Sequence, residues 1–384
     1  MVFAFALAVI AGLSVANLYY VQSLLPAIAQ QLGLSASTVL LAPMVIQIGL
    51  ALSLLLVLPI GDGLERRQLL VKAALGTAIA SAAIAFLPDF RMLLIAWFVL
   101  GLFALVPYLL PAYASGLVAD DMRGKTLGVI LSGQFSGILL SRSFSGVVGE
   151  QFGWRSVFVF SALTMAVIAV WMHNQLPFEK KPEPISYFSL QVSQLRLLRS
   201  YPDLRRACVS QSLQFGTFMG VWSALAFHLS ESPWHMGPAL IGAFGLVGIV
   251  SIAAAPSIGR LVDQVGAAKI VVFSTLSSLL GVVLLALLST SLVGIAFGLV
   301  FLDLGVQGSY VANQTRVFSL DPAARSRMAC LLFFSAYAGA AFSSAMVAYF
   351  WSGWGWQGVT AIGIVLVILA LISQYRAKRQ STAY

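Results

Sequence analysis

The stretch RGKTLGVILSGQFSGILLSRSFSGVVGEQFGW, from Arg123 to Trp154, has a counterpart about 200 residues later, RSRMACLLFFSAYAGAAFSSAMVAYFWSGWGW, from Arg325 to Trp356. In each copy 31 positions separate the arginine from the tryptophan, and between them lie a basic loop, an apolar run rich in small residues and a Gly-Trp turn. An acid stands upstream of both. Asp62 precedes Arg123 by 61 positions and Asp263 precedes Arg325 by 62. A repeat of this length and order predicts two halves of the chain built on one plan.

The solvent of those halves follows from composition. Hydrophobic residues make up 60% of the chain and charged residues 9%, with a mean hydropathy of +0.94. A bilayer core of about 30 Å takes roughly 20 apolar residues in helix. Twelve stretches reach or approach that length, near 3–29, 37–60, 69–87, 92–118, 126–148, 155–175, 206–229, 238–259, 269–288, 292–316, 328–350 and 356–374. The first is too long for a signal peptide and reads as a span, although its start, with no basic residue ahead of it, is abrupt. The expectation is an all-α membrane protein of twelve transmembrane helices in two pseudo-symmetric six-helix bundles, 1–175 and 206–384, joined by a polar linker at 176–205. Within the linker, Phe188, Leu190, Leu195 and Leu198 suit either a short interfacial helix or a loose connection.

Of the 22 Lys and Arg, all but Arg91, Arg142 and Arg155 lie at the termini or in the even-numbered loops. The positive-inside rule makes that side cytoplasmic, both termini included. The net charge of +9 therefore reports topology and anionic lipid headgroups, with no basic soluble module for nucleic acid. No phosphate-binding Gly-x-x-x-x-Gly-Lys-Ser loop is present, and His173, His228 and His235 stand apart from acids and from Cys208 and Cys330, so neither an ATP-driven pump, nor an enzyme, nor a metal or cofactor site is expected. Partners reduce to the lipid bilayer, a small molecule and protons, with the chain a monomer.

Polar residues at mid-depth must face protein or water. Asn17, Tyr20 and Gln22 fall in span 1, Tyr108 in span 4, Gln211 and Gln214 in span 7, and Asp303 and Gln307 in span 10. Each amide could instead bond a neighbouring helix, worth about 0.6 kcal/mol. Asp303 lies some 16 Å from the end of its span by helical rise. An ionised aspartate there costs about 3 kcal/mol, so it must be protonated, paired or wet, which suits a group that takes up and releases a proton. A structural partner for a buried cation is the other reading, and Arg142 in span 5 is that cation, either structural or anion-binding. Phe215 and Trp222 offer aromatic surface to a substrate. The loop charges Asp62, Arg66, Arg67, Asp120, Arg123, Asp263 and Arg325 fit a cytoplasmic gate of opposite charges at helix ends.

The second loop, PSIGRLVDQVGAAK, with Gly259, Asp263 and Gly266, resembles the Gly-x-x-x-Asp-x-x-Gly loop of the major facilitator superfamily. The first copy, LPIGDGLERRQ, keeps Asp62, Arg66 and Arg67 but has Leu58 and Glu65 where the family has glycine. NLYYVQSLLPAIAQQLG, from Asn17 to Gly33, GILLSRSFSG and FLDLGVQGSYVANQTRVFSL are similar to a bacterial branch of drug and metabolite exporters. The resemblance implies a bacterial inner-membrane secondary transporter working by alternating access, with spans 1, 4, 7 and 10 lining the cavity, and proton-coupled efflux as antiport. Where antiporters of the family carry Gly-Pro in span 5, this chain has Ser141 and Arg142. Proton-coupled uptake, facilitative transport and a membrane-embedded protein that does not transport therefore stay open.

Overall fold

A computed structural model describes residues 2–62, 64–178, 187–321 and 324–381. The side chains of Asp62 and Asp120 lie outside what is described. Among the described residues sixteen α-helices follow one another, and in lipid this is the only way an open chain satisfies its own backbone. They are α1 (Val2–Ala16), α2 (Tyr20–Leu32), α3 (Ala36–Val39), α4 (Leu41–Leu56), α5 (Arg66–Phe86), α6 (Phe90–Phe103), α7 (Val106–Leu117) and α8 (Asp120–Phe152), then α9 (Trp154–Gln175), α10 (Tyr187–Ser200), α11 (Pro202–Ser230), α12 (Pro238–Ala243), α13 (Ile249–Val265), α14 (Ala267–Leu287), α15 (Leu292–Phe318) and α16 (Arg325–Ser381).

Among the described residues nine helices are long and apolar enough to cross a membrane, or ten if the bent pair Pro238–Ala254 and Pro256–Val265 forms one span. Helix α16 contains two expected spans, divided at Gly355, whose φ of 50° and ψ of −137° interrupt the helix. Helix α11, at 29 residues, is long enough to cross but carries Ser210, Gln211, Gln214, Thr217 and Ser223 on its buried side. The twelve expected spans are thus all helical. The linker holds helix α10, so part of it is helical and not a loose connection.

By packing, the chain forms two compact units. One comprises Met1–Leu34, Val45–Gln191 and Ser230–Gly245, the other Ser35–Met44, Val192–Leu229 and Leu246–Tyr384. Two short segments therefore pack with the opposite half of the sequence: α3 beside α16, and α12 beside α8. In the first unit Ser143 donates to the Gly242 carbonyl at 3.0 Å, and the Glu150 carboxylate accepts the Ala239 N–H at 2.8 Å.

Helices in lipid associate by close packing of small residues, and the glycines show it. A Cβ on Gly12 would stand 2.6 Å from the Gly133 carbonyl oxygen, and one on Gly137 would come closer still to the Gly12 carbonyl oxygen, so α1 and α8 cross backbone to backbone. In the second unit Gly281 meets α15 and Gly216 meets Gly339 in the same manner.

The Gly-Trp turns of the repeat are structural hinges. Gly153 has φ 83° and Gly355 φ 50°, conformations glycine adopts without a Cβ penalty, and each starts the last span of its half. Just beyond the first turn, Arg155 donates to the carbonyls of Ile84, Ala85 and Leu87 at the end of α5. In the second, the Trp356 indole N–H bonds the Leu285 carbonyl at 2.9 Å at the end of α14. The two halves solve one capping problem with different residues.

Spans 1 and 4 are also broken within their length. Span 1 turns at Asn17–Tyr19 between α1 and α2, and span 4 turns at Ala104 and Leu105 between α6 and α7. The second break is followed by Pro107 in the first turn of α7, and Pro111 inside α7 has no N–H for the Pro107 carbonyl. The Gln134 amide of α8 donates to that carbonyl instead.

Candidate functional site

Each unit holds buried polar residues within its spans. In the first, Arg142 of α8 is 4% exposed, about 15 Å of helical rise from Phe152. Its Nε donates to Gln22 Oε1 at 2.8 Å, and its guanidinium carbon lies 5.2 Å from the Tyr19 ring centre. This buried cation is thus held by an amide oxygen from α2 and by the ring of Tyr19, which lies in the break of span 1 just ahead of α2. A hydroxyl pair, Ser23 and Ser145 at 2.8 Å, fixes the same two helices.

Asn17, expected to meet substrate, has its amide engaged. Its Nδ2 donates to the Leu13 and Ser14 carbonyls in the last turn of α1 at 3.0 and 3.1 Å, and its Oδ1 accepts from Ser161. Ser161 pairs in turn with Ser81 at 2.8 Å. Tyr20 is buried with its ring 5.8 Å from Phe144, and Tyr108 is half-buried on α7 just past the break in span 4.

In the second unit, Asp303 of α15 is 7% exposed and its Oδ1 accepts the indole N–H of Trp222 at 3.2 Å. Trp222 ends an aromatic ladder on one face of α11. Phe218 lies 6.2 Å from it, Phe215 5.8 Å from Phe218, and Tyr337 of α16 meets Phe215 edge-on at 5.1 Å. Phe215 and Phe218 are half-buried, so their rings keep open surface. Gln307, one turn from Asp303, is also half-buried. Among the described residues neither its Nε2 nor the Oε1 of buried Gln211 has a hydrogen-bond partner.

Gln214 behaves differently. Its Nε2 donates to Ser210, Thr275 and Ser309 at 3.2, 3.0 and 2.6 Å, and Ser278 donates to its Oε1 at 3.2 Å. This closed network ties α11 to α14 and α15.

The expected gate residues are placed as follows. Asp62 and Asp120 fall outside the described side chains, and Asp263 is exposed. Arg66 opens α5, with Arg67 beside it donating to the His173 carbonyl and lying 3.8 Å over the Phe178 ring. Arg123 donates to the Ser115 carbonyl at 3.0 Å and Arg325 to the Phe318 carbonyl at 2.9 Å. These last two arginines occupy equivalent positions in the repeat, and each sits on carbonyls at the end of the preceding span, where a cation favours the helix dipole.

Phe218, Tyr337, Tyr19 and Gln134 belong to these clusters and were not singled out from sequence. Only Gln134 carried a signal, an amide in one span with an unpaired proline-freed carbonyl due in its neighbour. A further cluster that sequence reading passed over lies where α11 begins. There Asp203 accepts from Arg206 at 3.2 Å and from Arg316, and Arg316 also donates to Gln374 at 3.2 Å.

Among the described residues, nine or ten helical spans carrying a buried acid, a buried arginine and amide atoms without partners fit a polytopic transport protein. A model of the Major Facilitator Superfamily matches residues 7–344, and the chain belongs to that superfamily. It is 32% identical over 372 residues to the uncharacterized transporter YgaY of Escherichia coli O157:H7, covering 97% of this chain and 94% of that protein. It is 25% identical over 377 residues to the inner membrane transport protein YnfM of Escherichia coli (strain K12), covering 96% and 89%. Among solved structures, a POT family transporter in complex with 5-aminolevulinic acid matches with a TM-score of 0.79 at 14% identity, over 97% of this chain and 94% of that one. At that identity the likeness is one of fold.

Proposed function

We propose that this superfamily transporter moves an amphipathic small molecule with a flat apolar body out across the bacterial inner membrane, by alternating access of its halves 1–175 and 206–384, in exchange for protons. The observation that carries the reading is the bond between Trp222 and Asp303 at the end of the ladder. An ionised Asp303 holds the indole by a charge-assisted hydrogen bond, which protonation weakens. A proton arriving at Asp303 therefore loosens the ring that closes the ladder, and substrate leaves. Deprotonation towards the other side restores the bond, and the next substrate binds.

Phe215, Phe218, Tyr337 and Trp222 supply stacking surface, and Gln211 and Gln307 supply unpaired amide atoms. Tyr20, Gln22 and Tyr108 are the candidates in the first unit, with Arg142 oriented through Gln22. We assign Asn17 and Gln214 to helix bonding, because their amides are occupied. The cytoplasmic gate is assigned to Asp62, Asp120 and Asp263 with Arg66, Arg67, Arg123 and Arg325, which must exchange carbonyl contacts for ion pairs as that side closes. YnfM's name places it in the inner membrane, and the basic loops put both termini of this chain in the cytoplasm.

Everted vesicles carrying the protein, loaded with an acid interior, test this directly. Fluorescent aromatic amphiphiles are expected to accumulate inside while the gradient stands and to leak out when it is collapsed. Accumulation independent of the gradient, or driven by the opposite one, overturns the efflux reading.

A further inference from the structure

The close crossing of α1 and α8 leaves a trough beside it. Gly12, Gly133 and Gly137 bring the backbones together, and the neighbouring positions on α8 are Gly128, Ser132 and Ser136, too small to fill the space. The result is a cavity of about 700 Å³ running from Lys125 to Phe144, a rise of about 28 Å. Its rim residues Phe5, Val9 and Leu140 are 67%, 44% and 53% exposed, the surface that a membrane helix turns to lipid. Its far end is lined by tilted rings, Phe144 lying 5.8 Å from Tyr20 and 4.7 Å from Phe160.

The chemistry of the walls is apolar despite the serines. Ser132 donates to the Gly128 carbonyl at 2.9 Å and Ser141 to the Ile138 carbonyl at 2.7 Å, so both hydroxyls are bonded within their own helix. Lys125 is different. It stands exposed at the open mouth, five residues into α8, and forms no ion pair with the described residues.

We propose that this trough is a binding site for one acyl chain of an anionic phospholipid, whose phosphate sits on Lys125. A narrow trough left empty forfeits dispersion contacts along its whole length, and a flexible linear chain recovers them. One leaflet contributes about 15 Å of hydrocarbon, so a chain entering beside Lys125 lies wholly inside the trough. Its headgroup then falls at the level of the ammonium, where a single lysine selects for anionic lipid. The apolar part of the transported molecule is the competing occupant.

The test uses the delipidated full-length protein in detergent, with phosphatidylglycerol or phosphatidylcholine of identical chains added back and the shift in thermal transition read against lipid concentration. Phosphatidylglycerol is expected to half-saturate at about fivefold lower concentration than phosphatidylcholine, the ratio that one surface lysine gives. Lys125→Gln is expected to erase that ratio and Lys125→Arg to keep it. A Cβ at Gly128 meets nothing within 4 Å, so Gly128→Leu leaves the lipid-free transition in place while filling the trough and reducing the response to both lipids. Equal responses of the parent to both lipids, a preference that survives Lys125→Gln, or full lipid response in Gly128→Leu would each overturn the proposal; the last would make the trough a place for substrate alone.

Discussion

In the proposed cycle Trp222 is the residue through which protonation of Asp303 would reach the aromatic ladder. Trp222→Phe keeps a ring against Phe218 and removes the only N–H it offers the carboxylate. The expected outcome is transport that continues down a substrate gradient but loses most of its dependence on pH, measured as initial rates with and without an imposed gradient. Asp303 itself was legible, because an acid in a run apolar enough for lipid needs a reason. Its partner was not, since the two lie 81 residues apart and no local pattern links them. Asn17 shows the opposite difficulty. Its place within span 1 was legible, but its task at a helix break was hidden, because no glycine or proline occurs at residues 17–19 to announce one.

Among the helices, the α1–α8 pair states most plainly what holds them together. Gly133→Leu forces a side chain into the Ala8 backbone, where it is expected to cost about 1–3 kcal/mol by overpacking and to lower the thermal transition and the yield of folded protein. Gly128→Leu, two turns or less away on the same helix, meets open space and serves as the control. The existence and order of the spans were readable from apolar length alone. Their interruptions were readable only where proline marks them, as at Pro107 and Pro111, and the division of α16 was announced by the Gly-Trp turn of the repeat. Span 7 was recognised in the sequence despite its amides, whose network with α14 and α15 needed coordinates to see.

For the molecule as a whole, repeat and charge asymmetry set the expectation of two halves and an orientation, while the packing of α3 and α12 with the opposite half of the sequence had no sequence mark. The ends of α11, α15 and α16 are joined at Asp203. Burial pushes its carboxyl up, but hydrogen bonds and charge from Arg316 and Arg206 outweigh that and hold it below the usual carboxylate range. A carboxyl depressed in the folded state stabilises fully above its unfolded value near 4 and ceases to do so as pH falls through the folded value. The thermal transition is therefore expected to drop on acidification below about pH 4, with that component missing in Asp203→Asn. The side chain is 44% exposed, so the difference between the two proteins at pH 7 is about 1 kcal/mol or less.

The coupling of transport to protons is tested most directly by following the internal pH of proteoliposomes when substrate is added, comparing the parent with Asp303→Asn. The parent is expected to move protons against the substrate flow, and the variant to bind substrate while moving none. Proton movement of the same size in both would place the coupling group elsewhere and contradict the role given to Asp303.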